Sequence, residues 1–328
     1  MEPYLPNYLK GKNRRLVFDP LRERGQKSRA EITRDKGMSF PTAMKVVDAF
    51  LEKGLLVELD ETGPAAGAGR KGRLLRFEPG AYRAVGVECE GRFARVGLAD
   101  MAGGVQARET IELGDFARTR DLSPLAAAIR RMCAAANGAP VLGVCIGFPA
   151  NLDPDAAAIV SYAAMDIQQP TSFAQVFPAF WREVELPVYL ENDANLACEG
   201  EAFLRRGAGG AANMLYLSIG SGCGGAVRLD GKLRRGARCR AGEVGAMLLQ
   251  PALGAPGRSA ARETLEDAVC LAALERRFGA ALRDGAQPGE ASAQAMRDYL
   301  CGPLSGAVYS LVMTLDVELC VLAGIVPG

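Results

Sequence analysis

The stretch Tyr189–Glu201, YLENDANLACEGE, decides how this chain folds. Its apolar lead-in, Val188-Tyr189-Leu190, reads as a strand. That strand delivers Glu191, Asn192 and Asp193 to the start of a helix expected over Ala194–Phe203. An acid beside an amide at a strand-to-helix corner has two readings. Asn and Asp are ordinary helix-capping residues. They are also good acceptors and donors for the hydroxyl groups of a ligand.

Working outward, the same alternation of strand and helix continues on both sides. Ala84–Glu88, Arg92–Asp100 and Val105–Leu113 have strand patterning, with Asp100–Gly104 as a turn. Asp121-Leu-Ser-Pro124 opens a helix reaching Asn137, and Val141–Phe148 is a buried strand. Met214–Ile219 is another, and Asp230-Gly231 closes a hairpin. Meandering strands followed by alternating strands and helices describe an α/β body in two lobes.

The first eighty residues differ in kind. Ser28 with Glu31 makes a capping box for a short helix that ends before Gly37. Ser39 is a second N-cap, Pro41 falls in the first turn, and the helix runs to Lys53. Ala43, Val46, Val47, Phe50 and Leu51 share one face, while Phe40, Thr42, Met44, Lys45 and Asp48 share the other. Leu16, Val17, Phe18 and Leu21 predict a further helix. Strands at Leu55–Val57 and Leu74–Phe77 flank a Gly/Ala-rich tip carrying Arg70, Lys71 and, at the returning edge, Arg73. Two helices, a tight turn and a basic hairpin in this order read as a winged helix-turn-helix with double-stranded DNA as partner. Ser39, Phe40, Thr42, Lys45, Arg70, Lys71 and Arg73 are the candidate DNA contacts. The competing reading is a helical hairpin for protein contacts.

Composition narrows the chemistry. The 328 residues carry net charge +1 and no histidine, which removes imidazole acid–base catalysis and imidazole metal sites. Residues 1–80 hold 16 basic against 11 acidic side chains, so the head is basic and the remainder slightly acidic. Nine cysteines without paired spacing point to reduced thiols and a cytoplasmic setting. No apolar run is long enough for a membrane helix, and the N-terminus lacks a signal peptide's apolar core.

The order of motifs resembles the ROK family of repressors, open reading frames and kinases. The motifs are GQKSRAEI, GLLVE and GRKGRLLRF in the head, then GVCIGFPANLDP, LENDANLACEGE, LSIGSGCGGAVRLDGKLRRGARCRAGEVG and LED. The resemblance implies an actin-like ATPase (ribonuclease H-like) body behind the head. The expected division is 1–80 head, 81–190 first lobe and 191–328 second lobe. It further implies that Asn192, Asp193, Glu243 and Glu266 contact a sugar, with Asp193 the general base where the family phosphorylates.

Against the family pattern stand several departures. The kinases' phosphate-approaching loop matches Glu88-Cys89-Glu90-Gly91-Arg92, where Glu90 replaces a glycine, and Arg92 is the candidate to offset its charge. The glycine-rich Gly220–Gly225 turn survives, either as a phosphate cradle or only as a tight hairpin. The family's zinc-binding histidine is Ala246, and its three cysteines are Gly257, Ser259 and Thr264, so no metal site is expected. The chain ends at VLAGIVPG, short of the family's usual C-terminal return. The expected function is a cytoplasmic transcriptional regulator, dimeric or tetrameric, with a sugar effector and no cofactor. Its rivals are a sugar kinase with a fused DNA-binding head, and a DNA-binding protein whose body only assembles subunits.

Overall fold

A computed structural model describes residues 6–34, 39–62, 73–206, 210–249, 263–279 and 290–324. The head comprises α1 (Pro6–Arg24), β1 (Gln26–Ser28), α2 (Arg29–Arg34), α3 (Phe40–Glu52), β2 (Leu56–Thr62) and β3 (Arg73–Phe77). The Ser28–Glu31 capping box forms as expected. The Glu31 N–H donates to Ser28 Oγ at 3.3 Å, and the Ser28 N–H donates to Glu31 Oε2 at 2.7 Å. Ser39 does occupy the N-cap of α3, but its hydroxyl pairs with Thr42 Oγ1 at 2.8 Å rather than with a backbone N–H. Helix α3 buries Ala43, Val47 and Phe50. Val47 and Phe50 share a core with Val17 and Leu21 of α1 and with Leu56, Leu75 and Phe77. Truncating one such large side chain costs about 3 kcal/mol. The small sheet runs β1-β3-β2, with Leu56 opposite Phe77.

Met44 departs from the expected outward face. It packs partly against the head core, and its sulfur lies 3.6 Å from Arg29 Nη1. Arg29 holds that position because it also pairs with Asp48 at 2.7 Å and Glu58 at 2.9 Å.

The first lobe is a five-stranded sheet in the order β11-β7-β4-β5-β6. Strands β4 (Arg83–Glu90), β5 (Phe93–Asp100) and β6 (Val105–Glu112) form an antiparallel meander. Helices α4 (Phe116–Thr119) and α5 (Ser123–Ala135) lead back to β7 (Val141–Phe148), laid parallel to β4. Alternate residues Val85, Val87, Cys89, Val96 and Leu98 face Leu125, Ile129 and Met132 of α5. A small sheet of β8 (Asn151–Asp153), β9 (Ala158–Ser161) and β10 (Thr171–Ser172) follows, then α6 (Phe173–Val176) and α7 (Pro178–Glu183). Phe148 packs edge-on against Phe116, Tyr162, Phe173 and Phe177, with ring centroids 5.4 to 5.9 Å away. Trp181 lies 6.3 Å from Phe173 at the margin of this cluster.

Strand β11 (Val188–Asn192) joins parallel to β7 and runs two residues past the expected Leu190, because Glu191 and Asn192 still pair with Gly147 and Phe148. The chain then passes into α8 (Asp193–Arg205), β12 (Met214–Ile219), β13 (Cys223–Leu229) and β14 (Lys232–Arg234). It continues through α9 (Leu265–Val269), α10 (Leu271–Phe278) and α11 (Glu290–Leu315) to β15 (Leu319–Gly324). The second sheet runs β14-β13-β12-β15, with β15 parallel to β12. Asp230 and Gly231 both take left-handed φ, 55° and 69°, which the tight hairpin requires. Helix α8 lies between the sheets. A β-carbon at Gly147 of β7 would stand 3.2 Å from Leu196 and 3.3 Å from the Asp193 backbone, while Cys198 and Ala202 pack with Met214, Tyr216 and Ala226. Among the described residues no helix is long and apolar enough to cross a membrane.

Candidate functional site

Where β11 turns into α8, four side chains fix one another. Asn192 caps the helix, its Oδ1 accepting from the Asn195 N–H at 3.1 Å, and its Nδ2 donates to the Ala150 carbonyl at 3.3 Å. Glu191 is buried, with 7% of its surface exposed. One of its oxygens accepts from the Asn192 N–H and from Asn195 Nδ2, both at 3.0 Å, and the other from Arg235 Nε and Nη2 at 2.8 and 2.5 Å. This carboxylate is fully satisfied, so it shapes the corner rather than presenting itself to a ligand.

Asp193 is different. Its Oδ1 accepts from the Ala194 N–H at 2.9 Å, its own backbone N–H also acts on the carboxylate, and no side chain among the described residues donates to it. Burial, with the charges of Glu88 and Glu243 adding to it, pushes its carboxyl up to about 6 against the pull of those N–H groups. Glu243, at the start of the turn Val244–Ala246, is also raised, first by the protein packed around it and then by Glu266. Its residue surface is exposed to solvent. Neither Arg238 nor Arg240 forms an ion pair with it among the described residues; Arg240 only draws its proton affinity down from a distance. Its hydrogen-bond partner is Asn151, whose amide nitrogen, oriented by this network, lies 2.7 Å from Glu243 Oε1 while its oxygen accepts from Ser161 Oγ at 3.0 Å.

Glu266, the fourth candidate, spends one oxygen on the Cys223 N–H at 2.9 Å. It therefore braces the glycine-rich turn. A β-carbon at Gly222 would lie 2.9 Å from that oxygen, and one at Gly225 would lie 2.7 Å from Val244. Close packing thus requires a glycine at Gly225, where the Gly242 carbonyl also stands 2.9 Å away, whereas a β-carbon at Gly220 or Gly224 would meet only ordinary contacts at 3.4 Å. Glu90 points at the same turn, its Oε1 lying 3.4 Å from where a β-carbon on Gly220 would stand. The cation beside it is not Arg92, which pairs instead with Glu112 at 3.4 Å. Arg95 does this, donating to Glu88 at 2.7 Å and Glu90 at 2.8 Å. Cross-strand pairing explains the exchange: Glu88 sits directly opposite Arg95 on β4 and β5.

Ala246 and Thr264 offer neither imidazole nor thiolate, and Gly257 and Ser259 lie outside the described residues. This donor set does not fit tetrahedral zinc. Thr264 instead forms a capping box with Asp267 on α9.

On the head, Ser39, Phe40 and Lys45 are exposed and Thr42 partly so, all at the amino-terminal half of α3. Phe40 has 56% of its surface open to solvent. Arg73 is exposed and 3.6 Å from Glu58, a loose pair, whereas Arg70 and Lys71 lie outside the described residues. Glu191, Asn151 and Arg235 were absent from the candidates read off the sequence. The available signal was an acid directly following the apolar run Val188–Leu190.

The ROK family model matches residues 84–327. Among curated proteins, a xylose repressor of Caldicellulosiruptor bescii is 27% identical over 241 residues, 72% of this chain and 58% of its own. A glucokinase of Halalkalibacterium halodurans is 34% identical over 141 residues, 41% of this chain and 40% of its own. The chain thus spans about half the length of these curated relatives. Among solved structures, a ROK family transcriptional regulator, homologous to the E. coli MLC protein, superposes with TM-score 0.77 at 18% identity. That superposition covers 97% of this chain and 84% of the other. A ROK glucokinase of Streptomyces griseus, solved with glucose and AMPPNP, gives TM-score 0.57 at 22% identity over 74% of this chain and 83% of its own. At these identities the two structures speak for the fold. With its α/β body matched from Ala84 almost to the last residue, the chain belongs to the ROK family.

Proposed function

We propose that this protein is a DNA-binding transcriptional regulator of carbohydrate-related genes, acting in the cytoplasm as a homodimer, with a sugar as its effector. The observation that carries the reading is the amino-terminal half of α3. It presents Ser39, Phe40, Thr42 and Lys45 away from the head core, beside the β2–β3 hairpin with Arg73. In a winged helix-turn-helix this end of the second helix enters the major groove, and the hairpin meets the backbone. A dimer would place two such helices on half-sites about 34 Å apart. The likeness to a xylose repressor supports the carbohydrate link. Asn192 and Asp193, with Glu243 near enough to act on Asp193 through charge and Glu266 on Glu243, are the proposed sugar contacts, and the space they border is the proposed sugar groove.

The kinase reading draws its support from Asp193, whose raised carboxyl suits a general base near neutral pH. Opposing it is Glu90, an anion beside the turn that a nucleotide's phosphates would approach. Without a positioned phosphoryl donor the base has nothing to drive. Asp193 holds the ligand in this reading and does not catalyse.

Selection of bound sequences from a random DNA pool, repeated with D-xylose, D-glucose and N-acetylated hexosamines, tests both halves. A palindrome enriched without sugar and released by one sugar is expected. Failure to enrich any sequence, or ATP-dependent phosphorylation of a hexose lost in Asp193→Asn, overturns the regulator reading.

A further inference from the structure

Phe203 stands where three parts of the chain meet. It belongs to the last turn of α8. Beneath it lies Gly103, in the turn between β5 and β6, with φ +90°. A β-carbon there would come within 2.9 Å of the Phe203 ring, so the turn and the ring are in close contact. Above the ring lie two guanidinium groups, Arg22 of α1 at 4.9 Å and Arg206 at 5.4 Å from its centroid. The turn that carries Gly103 also carries Met101. Its N–H donates to the Pro79 carbonyl at 3.1 Å, and its side chain packs against the head core. The turn 100–104 and Phe203 therefore form one seat, and the head rests on it.

Helix α8 ties that seat to the groove. Its first residue is Asp193, and Asn192 caps it. A helix of 13 residues is a rod about 20 Å long. The rod is fastened to the second sheet by Cys198 and Ala202 and by the ion pair of Glu199 with Arg228 on β13. Its far end presses on a turn of the first sheet. Helix α8 also packs on β7 of the first sheet through Leu196, so a rotation of one sheet against the other would load the contact between Phe203 and Gly103 at its far end.

We propose that Phe203 is the joint through which the groove controls the head. In one arrangement of the lobes its ring stays under Arg22 and holds α1. In the other, α8 carries the ring away and frees the head. A ligand that favours one arrangement then changes the head's mobility by linkage, with no contact to the head itself. The regulatory consequence rests on the reading of the groove as a sugar site. The mechanical contact does not.

Amide hydrogen exchange on the full chain tests the joint without sugar or DNA. Arg22→Met and Phe203→Leu should speed exchange in α1 roughly threefold to tenfold, while Phe203→Tyr, which keeps a ring, stays close to the parent. Equal α1 exchange in all three variants overturns the proposal. Should Phe203→Leu fail to fold, Arg22→Met on the helix surface decides alone. A second arm adds D-glucose or D-xylose. In the parent, protection at residues 190–195 should be accompanied by altered exchange in α1, and in Arg22→Met by none. An undiminished α1 response in Arg22→Met overturns the coupling. Absence of protection at 190–195 with either sugar counts against the sugar site, and the ligand-free comparison still decides the joint.

Discussion

The guanidinium of Arg235 meets the buried carboxylate of Glu191 through two nitrogens, at 2.8 and 2.5 Å, across 44 residues of sequence. The pair locks the segment after β14 onto the corner from which Asn192 and Asp193 emerge. Removing the cation strands a charge in a site with little solvent. Arg235→Met should cost about 2–4 kcal/mol in urea denaturation. Glu191→Leu with Arg235→Met should recover part of that loss, since no lone charge remains. Equal stability of parent and Arg235→Met would show that the pair contributes nothing.

Asp193 gives the stability a defined pH dependence. Its carboxyl ordinarily titrates at 3.8 and is pushed up to about 6 in the fold. Between these values the folded chain holds more protons than the unfolded one, so stability falls as pH rises through the window. Asp193→Asn abolishes that decline while keeping an oxygen for the Ala194 N–H. The variant should match the parent below the window and exceed it by about 2 kcal/mol at neutral pH, after allowance for partial solvent contact. Denaturation at both ends of the range decides. A parent whose stability climbs from pH 4 to 7 by an amount Asp193→Asn removes would reverse the sign argued here.

Glu90 makes a prediction about nucleotides. Replacing it with glycine withdraws a negative charge from beside Gly220 and leaves Arg95 with Glu88 alone. Affinity for a non-hydrolysable ATP analogue should rise about tenfold or more in Glu90→Gly, read by calorimetry. Tight binding by the parent would instead revive the kinase reading.

For the head, Lys45 is exposed and free of any ion pair among the described residues. Lys45→Ala should weaken DNA binding for all sequences alike and lower the salt slope of log affinity by about one, as loss of a phosphate contact does. Loss confined to one operator position would make Lys45 a base reader.

The fold was largely legible because its strands are bounded runs. Val141–Phe148 and Met214–Ile219 were read with their observed ends, each an apolar segment between turn-forming neighbours. The Asp230-Gly231 hairpin and the Ser28–Glu31 box were readable for the same local reason. What escaped depends on partners distant in sequence. Arg95, not Arg92, serves Glu90 because the hairpin register sets Arg95 opposite Glu88. Met44 turns inward because Arg29, anchored to Asp48 and Glu58, reaches its sulfur. Glu191 was expected at the helix start; it is the fourth residue of β11, and its pairing with Arg235, 44 residues on, had no local signal. The division of labour among the candidate contacts was not legible in the sequence. Asn192 caps, Glu266 braces a turn with one oxygen, Glu243 meets Asn151, and Asp193 meets only backbone donors among the described residues.

The placement of Trp181 beside Phe173 has a practical consequence. It is the chain's single indole, so emission excited at the red edge of the absorption band comes from the first lobe alone. Melting of the head or of the second sheet passes dark in that signal, yet it registers in far-ultraviolet circular dichroism. The offset between the two curves orders the disassembly of the parts, with no dye attached and no residue exchanged.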